Sequence, residues 1–307
     1  MTLRELVNEG RIQLEQAGVP DAGRDARSLF LDAFHMSSAE YLLYAENTPE
    51  KVGFEGDRKS GPAERMPHGA GRDLSAALET YRGYLRMRAE RIPLQQILGE
   101  TGFMGLNFKV SGSTLSPRQD TEVLVEEVLK DYGWKRPKVL DLCTGTGCIG
   151  ISLGILGECR EAVLTDLSGD ALEVAACNAE KLGAESGCTF RLYQGDLFEA
   201  LPAGETFDVI VSNPPYIRDA VIETLEPEVK TYEPRMALSG GEDGLEIYRR
   251  LIAAAPAFAP ALYLEIGYDQ AEAVKQLMEK AGYGSIRIIR DYGGRDRVVT
   301  GRTDQTT

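Results

Sequence analysis

The chain has 307 residues, 43% of them hydrophobic, with a formal net charge of -14 and a sequence pI near 4.8. The length allows two domains, because single cores stop growing near ~250–300 residues. The acidic balance opposes non-specific binding to nucleic acid and argues against a broad DNA-binding face, and no apolar run approaches the ~18–20 residues of a membrane helix.

The N-terminus, Met1-Thr2-Leu3-Arg4-Glu5-Leu6, lacks a signal peptide's uninterrupted apolar core, which predicts a cytoplasmic protein. Residues 1 to about 92 read as helices. Leu3, Leu6, Val7, Ile12 and Leu14 recur at near-helical spacing, as do Ala26, Leu29, Phe30, Ala33 and Phe34. Ser37-Ser38-Ala39-Glu40 fits a capping box that opens a short helix over Tyr41 to Tyr44. Glu55 to Arg72 is rich in Gly, Pro and charge without periodicity and reads as a surface loop. A further helix is expected from Asp73 to Arg91, ending before Pro93.

From Pro93 the pattern changes to short strands, with Phe103 to Val110 alternating before a turn at Ser111-Gly112. A helix after Pro117 carries Val123, Leu124, Val125, Val128 and Leu129. Strand and helix patterns then alternate: Val139–Leu142, Ala162–Thr165, Phe190–Tyr193, Phe207–Ser212 and Leu262–Ile266 are strands, with helices over Ala171–Leu182 and Glu246–Ala255. This alternation predicts a parallel sheet covered on both faces, a doubly wound α/β fold behind an N-terminal helical domain. The link Tyr292-Gly293-Gly294 is too short for a crossover helix, so the strands around Ile286–Ile289 and Arg297–Val299 are expected to be antiparallel.

The five cysteines, Cys143, Cys148, Cys159, Cys177 and Cys188, form no CxxC pair, and the only histidines are His35 and His68. No metal site is expected, the thiols are expected to be free and buried or partly buried, and a histidine base is disfavoured.

Val139 to Gly150 is a strand, a Gly-rich turn and a helix start, in which Gly145, Gly147 and Gly150 satisfy G-x-G-x-x-G. Asp166 ends the next strand, where an acid binds ribose hydroxyls in a dinucleotide fold. This pattern alone does not choose between a nicotinamide cofactor and S-adenosylmethionine. Asp141 is placed to face an ammonium group, which NAD lacks, and Asp196 with Leu197 is placed to bracket an adenine. The run Phe207 to Ser212 stops in Asn213-Pro214-Pro215-Tyr216. Pro214 and Pro215 lack an N–H and fix φ, so the loop is stiff and its carbonyls are free to accept from a flat substrate carrying –NH2.

Asp141 to Gly147 together with Asn213-Pro214-Pro215-Tyr216 resembles the class I S-adenosylmethionine-dependent methyltransferases that act on planar amino groups. Arg91 to Gly99, Phe103 to Leu106, Ser116 to Glu122, Glu233 to Leu238, Gly240 to Leu245 and Gly294 to Val299 narrow the resemblance to the peptide chain release factor N5-glutamine methyltransferases, the PrmC/HemK family. The resemblance implies a seven-stranded, mostly parallel, Rossmann-like sheet. It also implies a helical substrate-recognition domain at 1–92, a linking β-hairpin at 93–116 and a methyltransferase domain at 117–307. The implied reaction methylates the glutamine of the Gly-Gly-Gln loop of class I release factors, with no membrane and no direct nucleic-acid substrate. Cys143, Thr144, Gly145, Thr146, Gly147, Asp141, Asp166, Asp196, Leu197 and Asn213 would hold S-adenosylmethionine. Asn213 Oδ1 and the Pro214 carbonyl would take the two amide N–H bonds, with Pro215 completing the loop and Tyr216 and Phe103 sandwiching the amide. The resemblance implies Asn213, Pro214 and Tyr216 as the catalytic set.

The chain departs from the family pattern at Cys143, where glycine is usual, and at Ser116 and Gln119, which replace an apolar residue and a proline. Arg118 and Glu122 are spaced to form an ion pair on one helical turn. Competing readings are glutamine methylation of a ribosomal protein, adenine methylation of nucleic acid, a nicotinamide oxidoreductase and a non-catalytic binding protein.

Overall fold

The computed structural model describes residues 1–54, 73–133 and 135–303. The loop read over Glu55 to Arg72, with His68, lies outside the described residues. The chain divides into two units, Met1–Leu98 and Gly99–Thr307.

The first unit holds α1 (Leu3–Gln16), α2 (Ala22–Ala33), α3 (Ser38–Tyr44), α4 (Leu74–Ala89) and α5 (Leu94–Leu98). Capping boxes start α1, through Thr2 and Glu5, and α3, through Ser37 and Glu40, so both helix ends have their first N–H groups satisfied. The apolar stripes of α1, α2 and α4 meet around Phe30, which stacks on Phe34 with centroids 4.2 Å apart and takes the Tyr81 ring edge-on at 5.4 Å. Gly10 lets α1 approach α4, since a Cβ there would fall 2.1 Å from the Tyr81 hydroxyl. Inside this bundle Arg88 Nε donates to Asp25 Oδ2 at 2.8 Å, with both side chains almost wholly buried, and Arg88 Nη1 donates to the Ile92 carbonyl at 3.2 Å. The stretch after Pro93, expected to begin a strand, is instead the five-residue helix α5, too short to show a helical period.

The second unit opens with the antiparallel hairpin β1 (Glu100–Phe103) and β2 (Leu106–Lys109), followed by α6 (Gln119–Tyr132). Its sheet contains β3 (Lys138–Leu142), β4 (Glu161–Asp166), β5 (Thr189–Gln194), β6 (Val209–Ser212), β7 (Ala261–Glu265), β8 (Tyr283–Arg290) and β9 (Asp296–Thr303). The order is β5-β4-β3-β6-β7-β9-β8, and β9 alone among these strands runs against the rest. The expected antiparallel end pair is therefore β8 and β9. The central strands β3, β6 and β7 are buried along nearly their whole length, which is why they read as continuous apolar runs rather than as alternation. Helices α7 (Cys148–Leu156), α8 (Gly169–Gly183), α12 (Glu246–Ala254) and α13 (Ala271–Lys280) cover the two faces. Three short helices, α9 (Asp219–Ile222), α10 (Pro227–Tyr232) and α11 (Arg235–Leu238), fill the crossover after β6. No described helix is long and apolar enough to cross a membrane.

The Arg88–Asp25 pair supplies a test of the helical unit. Arg88→Met strands a buried carboxylate and should cost about 3–5 kcal/mol, whereas Asp25→Leu combined with Arg88→Met should recover most of that loss. Urea denaturation followed by circular dichroism reads both variants.

Candidate active site

Strand order reverses between β3 and β6: the chain runs from β3 outward to β5, then returns to the other side of β3. Ligands of open α/β sheets bind outside the carboxyl ends of the strands at such a switch point. The register pairs Leu142 with both Thr165 and Ser212, so the turns after β3, β4 and β6 leave the sheet side by side. Ser212 Oγ donates to the Leu142 carbonyl at 2.7 Å and fastens two of them together. A cavity of about 390 Å³ opens there, within the range of small-ligand sites.

The Gly-rich turn forms one wall. Thr144, Gly145, Thr146 and Cys143 line the cavity, and the turn is held by the Thr144 N–H on the Thr165 carbonyl at 3.0 Å and the Gly147 N–H on the Thr144 carbonyl at 2.8 Å. Gly145 and Gly147 have φ of 55° and 80°. Cys143 also sits in the left-handed region, at φ 58°, which explains why glycine is the easier residue there. Gly147 turns the chain into α7 without lining the cavity. Gly150, in the first turn of α7, permits close helix–strand packing, since a Cβ would fall 2.2 Å from Leu164 Cδ2.

Asp141 was expected to face a ligand ammonium; the structure puts it behind the turn. It is fully buried, its Oδ2 accepts from Thr144 Oγ1 at 2.6 Å and from the Gly150 N–H at 2.9 Å, and it does not line the cavity. Burial pushes its carboxyl up to about 7, against the opposing pull of the Thr144 and Gly150 hydrogen bonds. Asp166 does line the cavity, with Oδ2 accepting from the Gly145 N–H and Oδ1 from the Ser168 N–H, each at 2.9 Å. Desolvation raises its pKa, and those backbone donors limit the rise. Asp196 and Leu197 are on the same wall, Asp196 paired with Arg250 Nη2 at 2.6 Å and Leu197 in a left-handed conformation at φ 48°.

The opposite wall is the loop after β6. Asn213 and Pro215 line the cavity, while Pro214 is buried. Asn213 Nδ2 donates to Thr121 Oγ1 at 3.4 Å, and among the described residues neither Asn213 Oδ1 nor the Pro214 carbonyl accepts a hydrogen bond. Tyr216 does not line the cavity: its hydroxyl donates to Glu265 Oε1 at 3.2 Å, and its carbonyl accepts from Gln270 Nε2 at 3.0 Å. Phe103 is not brought to this wall either. Its ring is 2% exposed and lies edge-on to Phe108 at 6.0 Å, because burial in the hairpin core outweighs display on a short strand.

Arg118 reaches past Glu122 to Glu233, with Nη2 at 2.8 and 2.9 Å from the two carboxylate oxygens. Glu122 instead accepts from the Met104 N–H at 2.6 Å. The Arg118 pair joins the segment before α6 to the segment before α11, and Arg118 and Pro234 both line the cavity. All five cysteines are free, and Cys177, expected to be at least partly buried, is exposed on α8. Sequence reasoning missed Thr121, Glu265 and Arg250, whose side chains hold those of Asn213, Tyr216 and Asp196.

Residues 116–227, which contain the Gly-rich turn and the Asn-Pro-Pro-Tyr loop, match the family described as Methyltransferase small domain. The chain is 38% identical over 306 residues to the release factor glutamine methyltransferase of Geobacter sulfurreducens, covering 98% of this chain and 96% of that protein. It belongs to the release factor glutamine methyltransferase family. A member from Cereibacter sphaeroides is 40% identical over 293 residues, covering 94% of each chain. The catalytic domain of hMettl16 superposes with a TM-score of 0.54 at 14% identity over 66% of this chain and 78% of that one, a likeness of fold.

Two tests address the turn. Replacing Cys143 by Gly relieves a left-handed strain of about 1–2 kcal/mol against a glycine entropy cost of about 0.5–1 kcal/mol. Cys143→Gly should therefore melt at or above the wild-type temperature, whereas Cys143→Val should melt below it. Asp141 has a folded pKa above its unfolded one, so the folded state holds its proton over a range where the unfolded chain does not. Stability should thus fall as pH rises from about 4 through about 7, and Asp141→Asn should flatten part of that slope in denaturation curves taken across the range.

Proposed function

We propose that this protein transfers a methyl group from S-adenosylmethionine to the side-chain amide nitrogen of the glutamine in the Gly-Gly-Gln motif of class I peptide chain release factors. The observation that carries the reading is the state of Asn213. Its Nδ2 is engaged by Thr121, so what it offers the cavity is a carbonyl oxygen; the neighbouring Pro214 carbonyl, on a buried residue, accepts no hydrogen bond among the described residues. Two acceptors on adjacent residues suit a group that presents two N–H donors, which is what a primary carboxamide is. The nearly full coverage of relatives that carry this name supports the same substrate.

The residues fit the cofactor. Thr144, Gly145 and Thr146 leave an open wall beside the turn, where a Cβ on Gly145 would meet nothing within 4 Å. Asp166 is poised at the end of β4 to accept from ribose hydroxyls, and Asp196 with Leu197 at the end of β5 to accept from and pack against an adenine. S-adenosylmethionine supplies a methyl on a sulfonium that is already a good leaving group.

A carboxamide nitrogen is a poor nucleophile because its lone pair is delocalised into the carbonyl. Asn213 Oδ1 and the Pro214 carbonyl answer this by orienting the nitrogen and by stabilising the positive charge that develops on its hydrogens. The prolines at 214 and 215 keep both acceptors fixed, so no reorganisation is needed during the reaction. The proton passes to water after or late in transfer.

The decisive assay incubates the protein with radiolabelled S-adenosylmethionine and, separately, with release factor, ribosomal subunits and DNA. Label is expected on the release factor glutamine; label only on a ribosomal protein or DNA refutes the substrate. Asn213→Ala should abolish transfer while leaving cofactor affinity by calorimetry nearly unchanged, and an equal collapse of both would remove the role given to Asn213.

A further inference from the structure

The Asn-Pro-Pro-Tyr loop is fastened where it leaves β6, since the Ser212 hydroxyl donates to the Leu142 carbonyl at 2.7 Å. Its far end must be fixed as well if its acceptors are to keep one direction, because two prolines lock φ but leave ψ free. Beyond Tyr216 the backbone is drawn against the segment that follows α11. The Ile217 N–H donates to the Leu238 carbonyl and the Gly240 N–H to the Ile217 carbonyl, each at 2.9 Å. The approach is so close that a Cβ on Gly240 would fall 2.8 Å from Tyr216 Cα, and one on Gly244 would fall 2.6 Å from the Tyr216 carbonyl oxygen. The glycines at 240 and 244 therefore serve this contact.

One buried side chain ties the two segments together. Gln270, at the start of α13, is 4% exposed. Its Nε2 donates to the Tyr216 carbonyl at 3.0 Å and to the Gly244 carbonyl at 3.1 Å, and its Oε1 accepts from the Gly267 N–H at 3.0 Å. These partners dictate the orientation of the amide, because two are carbonyls that only accept and the third is an N–H that only donates. A carboxamide meets all three, whereas a carboxylate has no donor and an ammonium or guanidinium has no acceptor. Gln270 is also the residue that precedes the first turn of α13, yet its side chain makes no bond to that helix. Its hydrogen-bonding capacity goes to the loops, and none of its three partners belongs to the Gly-rich turn.

We propose that Gln270 is a positioning residue for methyl transfer: by tying the Tyr216 carbonyl to the Gly244 carbonyl it fixes the far end of the Asn-Pro-Pro-Tyr loop, and with it the place where Asn213 Oδ1 and the Pro214 carbonyl meet the acceptor. Gln270 itself touches neither acceptor nor cofactor. The inference rests on the assignment of this loop to the acceptor given above. A misplacement of about 1 Å costs a transfer reaction about 100-fold, so one lost tether is enough to show in kcat while the cofactor wall stays as it is.

Gln270→Leu removes all three bonds at similar volume. With competent molecules counted by the stoichiometry of S-adenosylhomocysteine binding in calorimetry, kcat per binding site should fall roughly 10- to 100-fold, and the Kd of that ligand should stay within about twofold of wild type. Gly240→Ala reaches the loop by another route, since it leaves Gln270 in place and pushes on Tyr216, and it too should lower kcat per site. A merely structural role would instead reduce the number of binding sites and leave kcat per site unchanged. Hydrogen exchange read by ¹⁵N NMR, with no acceptor present, should quicken at Ile217 and Gly240 in Gln270→Leu and stay unaltered at Gly145 and Gly147 on the opposite wall. Exchange separates this inference from the choice of acceptor: if the wild type labels a different acceptor, the substrate reading fails while kcat per site is measured on that acceptor. A kcat per site within about twofold of wild type in either variant, a ligand Kd that weakens as much as kcat falls, or unaltered exchange at Ile217 and Gly240 overturns the proposal.

Discussion

The parallel pairing of β3 with β6 is the constraint from which the site follows. It sets Leu142 against Ser212, so the Gly-rich turn and the Asn-Pro-Pro-Tyr loop begin at the same level on neighbouring strands. A slip of one residue would reverse the faces of every side chain in β6 and move Asn213 away from the turn. The register is well protected, because Val209 to Val211 are fully buried and the Ser212 hydroxyl bonds back to Leu142. The two walls of the cavity are thus placed by the core of the sheet, and the loops contribute only their final shape.

Much of the acidity near the cavity is directed inwards. Asp141 holds the turn through Thr144 and Gly150, Asp166 binds backbone N–H groups on two sides, Asp196 is paired with Arg250, and Glu233 with Arg118. These carboxylates stiffen the walls before anything binds. Such pre-organisation favours a reaction whose acceleration comes from alignment, since the alignment cost is met at folding. Among the described residues, the polar side chain that the loop after β6 brings to the cavity, Asn213, is an amide with no basic group.

The strands, the helices over them and the Gly-rich turn were legible because each is a local pattern. Val139–Leu142 and Leu262–Ile266 are continuous apolar runs, the glycines mark a left-handed turn, and the Ser37–Glu40 capping box spans four adjacent residues, although the equivalent box at Thr2 and Glu5 was passed over. What escaped was either short or remote. The five-residue α5 and the six-residue α10 are below the length at which a helical period shows. Arg118 passed over its neighbour for Glu233, 115 residues away, and the links of Asn213 to Thr121 and of Tyr216 to Glu265 span 92 and 49 residues. Such partners are chosen by the folded sheet. Phe103 failed for a related reason, as an aromatic on a short strand serves a core or a site equally well in sequence, and only the packing of the hairpin decides.

The two thiols in the cavity wall have a chemical consequence of their own. A sulfonium methyl group alkylates soft nucleophiles readily, and a thiolate is softer and stronger than any amide. Cys143 and Cys148 both line the cavity, and burial pushes each up to about 12, with the Asp166 charge adding to the rise at Cys143 and the Asp141 charge at both. At neutral pH both stay as inert thiols. The burial of these thiols, with the charges of the walls adding to it, therefore also keeps the proposed donor from methylating the protein that holds it.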